Sequence, residues 1–154
     1  MSKGSSRVSE FIKEKGIDAR VVTLGNSTRT SQLAAEALGC TIAEIAKSVV
    51  FLNSDSSVIV VISGDKRVDL RKLTEFLGCK VSNADAETVK EKTGYVIGGV
   101  PPFPHNLSVR VLLDSSLNRF DKVWAAAGTP NSVMRLGVRE LADTLNGGFI
   151  DLAS

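Results

Sequence analysis

Ser48-Val49-Val50-Phe51-Leu52 and Val58-Ile59-Val60-Val61-Ile62-Ser63, separated by the polar run Asn53-Ser54-Asp55-Ser56-Ser57, read as two apolar strands joined by a turn. β-Branched and aromatic side chains dominate both runs and suit a pleated, half-buried surface. A hairpin pairs its strands antiparallel, so this stretch argues against a purely parallel, doubly wound sheet. Immediately upstream, Thr41-Ile42-Ala43-Glu44 has the form of a capping box and predicts a short helix over 42–47. Lys47 would then end that helix where the chain enters the core. Such a lysine can complement the helix dipole, a matter of about 0.3–1 kcal/mol, or hold an anionic or carbonyl-bearing ligand over the sheet.

Farther out, apolar residues at a spacing of three to four predict a first helix over 8–15, stopped by Gly16. A strand over 19–24 follows, then a helix from Thr30 or Ser31 to Leu38, ended by Gly39. Beyond the hairpin, Asp69 is placed to cap a helix over 70–77, and Asp85 another over 86–92 closed by Gly94. Strands are predicted over 95–98, 109–113, 122–127 and 132–136, and a last helix near 138–146. Six or seven strands interleaved with four or five helices make a mixed α/β domain. No internal repeat, low-complexity segment or linker divides the chain.

The 154 residues suffice for one core-bearing domain, and 43% hydrophobic with 23% charged residues is ordinary for a globular protein. No apolar run approaches the roughly 20 residues of a membrane span, and the start Met1-Ser2-Lys3-Gly4-Ser5-Ser6 lacks a signal core. The expectation is a soluble, cytoplasmic protein with no membrane partner. Cys40 and Cys79 are isolated, each after a Leu-Gly pair, and His105 is the single histidine. Without a CxxC pair or HExxH, no metal and no cofactor are expected. The net charge of +2 is modest, although Lys66, Arg67, Arg71 and Lys72 form a local basic cluster.

The segment Gly98-Gly99-Val100-Pro101-Pro102-Phe103-Pro104 combines residues that permit close backbone approach with residues that fix φ and remove donors. It leaves amide N–H groups at 98–100 and 103, which suits a carbonyl or oxyanion site. It also satisfies PxxP, the form of a polyproline ligand. A second small-residue turn, Ala126-Ala127-Gly128-Thr129-Pro130, follows a predicted strand. On one sheet, these two turns and Lys47 would line a single cleft.

Ile45-Ala46-Lys47-Ser48-Val49-Val50-Phe51, Gly64-Asp65 with Val68-Asp69-Leu70, Thr93-Gly94-Tyr95-Val96-Ile97-Gly98-Gly99-Val100-Pro101-Pro102, and Ala127-Gly128 occur in the order and spacing of the YbaK/ProX family. From about Ser27 to Leu145 the chain resembles these aminoacyl-tRNA deacylases, which are similar to the editing insertion of bacterial prolyl-tRNA synthetases. The resemblance implies a single editing domain over 1–154, with a mixed, mostly antiparallel, barrel-like sheet flanked by helices. It implies hydrolysis, in trans, of the ester joining a wrong amino acid to tRNA, often proline tRNA carrying alanine or cysteine. Lys47 matches the family's essential lysine, and Gly98 with Pro102 its glycine-x-x-x-proline loop, so Lys47, Gly98, Gly99, Val100 and Pro102 become the catalytic candidates. Thr30, Phe51, Pro101, Phe103, Ala127, Gly128 and Thr129 are candidates for substrate binding. Arg29, Lys66, Arg67, Arg71 and Lys72 are candidates for tRNA phosphates, and an aminoacyl-tRNA synthetase is a candidate partner. Cysteine-specific members carry an aspartate where this chain has Val133, so a smaller or different amino acid such as alanine or serine is expected on a par with cysteine. That departure also leaves open a tRNA- or synthetase-binding module without turnover.

Overall fold

The computed structural model describes residues 3–54, 56–106 and 108–154. Helix α1 (Lys3–Lys15) turns Val8 and Ile12 inward and is followed by strand β1 (Val21–Thr23). Helix α2 (Ser31–Leu38) starts where Thr30 Oγ1 accepts from Leu33 N at 3.1 Å and stops at left-handed Gly39. A 3-10 turn (Ile42–Glu44) leads into the long hairpin β2 (Ile45–Asn53) and β3 (Ser56–Ser63). Then come α3 (Leu70–Leu77), β4 (Ser82–Asn83), α4 (Ala86–Thr93), β5 (Val109–Asp114), a 3-10 segment (Ser115–Arg119), β6 (Lys122–Ala126), β7 (Ser132–Gly137), α5 (Val138–Leu145) and β8 (Phe149–Ile150).

The strands form one mixed sheet in the order β1-β7-β6-β2-β3-β5-β8, with β4 also pairing β2. The predicted hairpin is present in register from Ala46↔Ser63 to Asn53↔Ser56; of its expected turn, Asp55 lies outside the described residues. β3 lies between β2 and the parallel β5, and Ser57–Ser63 are all buried, which explains its unbroken apolar run. One face of the sheet carries a large core built around Val61, Leu113, Met134 and Leu136. The other carries a smaller core of Phe51, Val58, Val60, Ile62, Leu73, Leu112 and Leu152. Fully buried Asp114 ties β5 to the C-terminal segment, accepting from Ser116 N at 2.9 Å and Leu152 N at 2.7 Å.

Three expectations need correction. Among the described residues the sheet has eight strands and does not close into a barrel: β1 and β8 are its free ends. The two strands that the pattern missed, β4 and β8, have two residues each, too few for any periodicity. The helix expected over 42–47 is only the 3-10 turn 42–44. Glu44 does reach back to Thr41 N at 3.0 Å, but Ile45 and Ala46 are already extended and pair in parallel with Trp124 and Ala125 of β6. Sheet pairing overrides local propensity here, and Lys47 is a strand residue rather than a helix cap. Finally, 95–98 is not a strand. Thr93 Oγ1 accepts from Tyr95 N at 3.1 Å, and Gly98 takes φ +85°, so the chain turns twice within the segment.

Behind that turn, α1 packs on the 101–105 segment. The rings of Phe11 and Phe103 lie 5.1 Å apart, Tyr95 Oη donates to Pro104 O at 3.0 Å, and Arg7 lies over the Tyr95 ring. His105 Nε2 donates to Pro101 O at 2.7 Å, while its Nδ1 is buried without a partner among the described residues. Burial of Pro101, Pro102 and Phe103 ends the polyproline-ligand reading. Burial also pulls the His105 pKa below its usual 6.5, outweighing the hydrogen bond to Pro101 that favours the cation. Above pH 6.5 the ring is neutral in both folded and unfolded chains; below it the unfolded chain takes the proton first. Stability is therefore expected to fall as pH drops from about 6.5. Urea unfolding of His105→Gln should show a shallower decline over that window, and an equal decline would remove His105 as its source.

Candidate functional site

On the edge away from β3, β2 meets β6 at Ile45 and Ala46 and β4 at Phe51 and Leu52. Between these pairings, residues 47–50 have no strand neighbour on that side among the described residues. A cleft of about 440 Å³ opens there, bounded by the α2 start, the 97–100 turn, α4 and strands β6 and β7. Its walls include Val50, Val89, Val100, Ala125 and Val133, with Trp124 and Ile97 also contributing.

Lys47 is half-buried in this cleft, and its Nζ donates to Gly64 O at 3.4 Å. Gly64 is where β3, the 3-10 turn and α2 converge: a Cβ there would stand 2.5 Å from Ile42 O and 2.8 Å from Ser31 Cβ. Only a glycine permits that approach, and it brings the α2 start over the lysine. Burial lowers the Lys47 pKa from the usual 10.5, Arg67 lowers it further, and Asp65 opposes both. Asp65 is held below the usual carboxylate range chiefly by Arg119, which grips it through two nitrogens at 2.7 and 3.1 Å.

The opposing loop is fixed by backbone contacts. Gly99 N donates to Val96 O at 2.9 Å, and Gly99 O accepts from Gly128 N at 3.0 Å. A Cβ on Gly99 would lie 2.7 Å from Thr129 Cα, and one on Gly98 would lie 2.6 Å from Arg29 Cγ. The Gly99 amide is thus spent within the loop, whereas those of Gly98 and Val100 have no partner among the described residues.

Of the residues singled out by sequence, Arg29, Thr30, Lys47, Gly98 and Val100 line the cleft together. Gly99, Ala127, Gly128 and Thr129 form the layer behind the loop. Pro101 is buried, and Pro102 and Phe103 face a separate cavity shared with Phe11 and His105. Phe51 is 2% exposed and packed in the smaller core, farther along β2 where that strand pairs with Asn83 of β4, and it does not line the cleft. Among the basic residues, Lys66, Arg67 and Arg71 project from the region after β3, but Lys72 is engaged by Asp151 at 3.1 Å and by Ala153 O at 2.7 Å. Ser31, Ser48, Asn83, Val89, Ile97 and Trp124 also line the cleft and were not singled out by sequence. Ser48 stands beside the lysine and was read only as strand; nothing in a one-dimensional pattern marks which strand edge is uncovered. Among the described residues, no aspartate, glutamate, histidine or cysteine lines the cleft.

Residues 25–144 match the family model for the aminoacyl-tRNA editing domain. The chain is 36% identical over 124 residues to the uncharacterized protein YwhH of Bacillus subtilis, covering 80% of this chain and 79% of that one. It is 30% identical over 136 residues to the multifunctional Ser/Thr-tRNA deacylase ProXp-y of Escherichia coli, covering 83% and 81%. Among solved structures, one described as "a putative trans-editing enzyme for prolyl tRNA synthetase" superposes with a TM-score of 0.92 at 37% identity, over 100% of this chain and 99% of that one. The matched span contains both the Lys47 strand and the 98–102 loop, and the chain belongs to the aminoacyl-tRNA editing domain family.

Proposed function

We infer that the protein is a freestanding cytoplasmic deacylase that hydrolyses the ester of a small wrong amino acid on tRNA. Serine, threonine and alanine are the candidate amino acids, and proline tRNA the candidate carrier. The observation that carries the reading is the meeting, across one cleft, of Lys47 with the unpartnered amides of Gly98 and Val100. Water adds to the ester carbonyl carbon, the amides and the lysine cation stabilise the oxyanion, and the carbon–oxygen bond then breaks. The terminal ribose oxygen leaves and takes up a proton. With no carboxylate, imidazole or thiol on the wall among the described residues, side-chain general-base catalysis has no candidate other than Lys47 itself, and positioning with charge stabilisation remains the source of rate. The name of the Escherichia coli relative and Val133 in the wall both favour a small hydroxyl-bearing or methyl side chain over cysteine. The cysteine class is represented among relatives too, since a protein 25% identical carries the name Cys-tRNA(Pro)/Cys-tRNA(Cys) deacylase EbsC in Enterococcus faecalis.

Lys47→Ala is expected to lower kcat/KM by about a hundredfold, the scale of losing one oxyanion-stabilising group. A panel of seryl-, threonyl-, alanyl- and cysteinyl-tRNA read by acid-precipitable label measures it, and wild-type rates in the mutant would refute the assignment. Binding of these tRNAs by the wild type with no hydrolysis of any would identify a binding module instead.

A depressed lysine pKa means that the fold disfavours the cation. The resulting destabilisation is complete below the folded pKa and disappears as pH rises from there to 10.5. Lys47→Met is therefore expected to unfold at a higher urea concentration than wild type at pH 7 while losing activity on the scale of Lys47→Ala. A lower midpoint would mean that the lysine is retained for structure.

Arg67→Ala and Lys66→Ala should each weaken tRNA binding and reduce the slope of log K against log salt by about 0.7–0.9 for each phosphate that is no longer neutralised. Lys72→Ala should leave that slope unchanged, because its ammonium is committed to Asp151 and Ala153. Filter binding at salt concentrations from about 50 to about 200 mM, a range over which such slopes are steep, separates the two cases.

A further inference from the structure

We propose that Ser48 holds the α-amino group of the aminoacyl ester, accepting hydrogen bonds through its main-chain carbonyl and its side-chain hydroxyl at the uncovered edge of β2. The inference rests on the deacylase reading above and assigns a positioning role within the same cleft.

Pairing geometry fixes where Ser48 presents its backbone. Gly64 N donates to Ile45 O at 2.7 Å, so in this antiparallel pair the main-chain groups of residues 45, 47, 49 and 51 point to β3. Those of 46, 48 and 50 point away. Ala46 then faces Ala125 of β6, and Val50 O accepts from Ala84 N at 3.3 Å. Among the described residues, Ser48 alone of the three has no residue opposite it, and its carbonyl and amide look into the gap that forms the cleft. An unpaired main-chain group at an edge is a ready acceptor for a ligand, as in recognition by strand addition.

The side chain adds an independent observation. Ser48 Oγ is buried and has no hydrogen-bond partner among the described residues, although Ser48 lines the cleft. A buried hydroxyl without a partner is destabilising, and such groups call for an explanation. Rotation about χ1 moves Oγ among three staggered positions, so the hydroxyl can turn to a group seated against the carbonyl of its own residue. The ligand group must be a donor with more than one hydrogen. On an aminoacyl ester, the α-amino group fits that description. The amides of Gly98 and Val100 across the cleft are donors and suit the ester carbonyl, so the two walls differ in the polarity they present.

The test compares seryl-, threonyl- and alanyl-tRNA with their α-hydroxyacyl counterparts, in wild type, Ser48→Ala and Ser48→Thr. Within one substrate, the ratio of variant to wild type cancels the intrinsic difference in ester reactivity. Ser48→Ala is expected to lose about tenfold in kcat/KM on the preferred aminoacyl-tRNA, the scale of one hydrogen bond to a charged group, and distinctly less on its α-hydroxy analogue. Ser48→Thr, which keeps the hydroxyl, should retain most of the rate. The thermal midpoint of Ser48→Ala should not fall, because a hydroxyl without a partner is removed. Equal losses on both substrate types, or no loss on the aminoacyl-tRNA, would overturn the role of Ser48 while leaving the deacylase reading standing. A wild type inert towards every aminoacyl-tRNA would overturn both.

Discussion

The backbone contact of Gly99 with Thr129 and Pro130 is the constraint on which the site rests. No side chain can occupy position 99 without displacing main chain, since a Cβ would stand 2.7 Å from Thr129 C and 3.0 Å from Pro130 N. Main chain yields far less readily than a flexible side-chain tip. The same stack continues outward, where Gly128 touches the backbone of Gly4 in α1. Loop, β6–β7 turn and first helix are therefore pressed together at three glycines, and the loop's position relative to the sheet is set by steric exclusion. With the Gly99 amide and carbonyl both committed, the flanking amides at 98 and 100 are left over for a ligand.

Against this rigid back wall, the front wall is incomplete. β3 is covered on both edges, by β2 and β5, and gives the hairpin a buried apolar spine. β2 takes partial cover from β6 at one end and from β4 at the other, and the bare stretch between them carries the half-buried Lys47 and the unpartnered Ser48 hydroxyl. Each is unfavourable to the fold by itself. Their concentration at one edge of an otherwise well-satisfied sheet is what the proposed function predicts, since stability is commonly traded for activity at a site.

Much of the fold was legible because its punctuation is chemical. Asp69 and Asp85 cap the helices they were expected to cap, and Gly39, Gly78 and Gly94 end three helices in the left-handed region. The apolar run of β3 identified a strand, and the structure buries both of its faces. Where local signals were ambiguous, long-range pairing decided: Ile45 and Ala46 follow a capping box yet join β6, which lies roughly 80 residues away along the chain. For the site, residue type and loop chemistry located Lys47, Gly98 and Val100 in one cleft. Packing into the smaller core at the far end of β2 removes Phe51, and crossing to the far side of the loop separates Pro102 and Phe103 from the cleft. Neither could be read without knowing which stretch of β2 and which side of the loop the cleft occupies.

The distribution of titratable groups narrows the chemistry. His105 is turned to Pro101 behind the loop, Asp65 is clasped by Arg119, and Asp114 is consumed by Ser116 and Leu152. These three groups are thus committed elsewhere. What faces the cleft is Lys47, Arg29, Asn83, a few hydroxyls and main-chain donors and acceptors, set in walls of valine and alanine. Such walls select mainly by excluding bulk, where one methylene is worth only about 1–3 kcal/mol. In the proposed reading, such a site recognises the constant part of its ligand, the amino ester, through fixed backbone, and leaves the variable side chain to shape. Under that proposal, Val133 and the other apolar wall residues of this chain set which side chain fits.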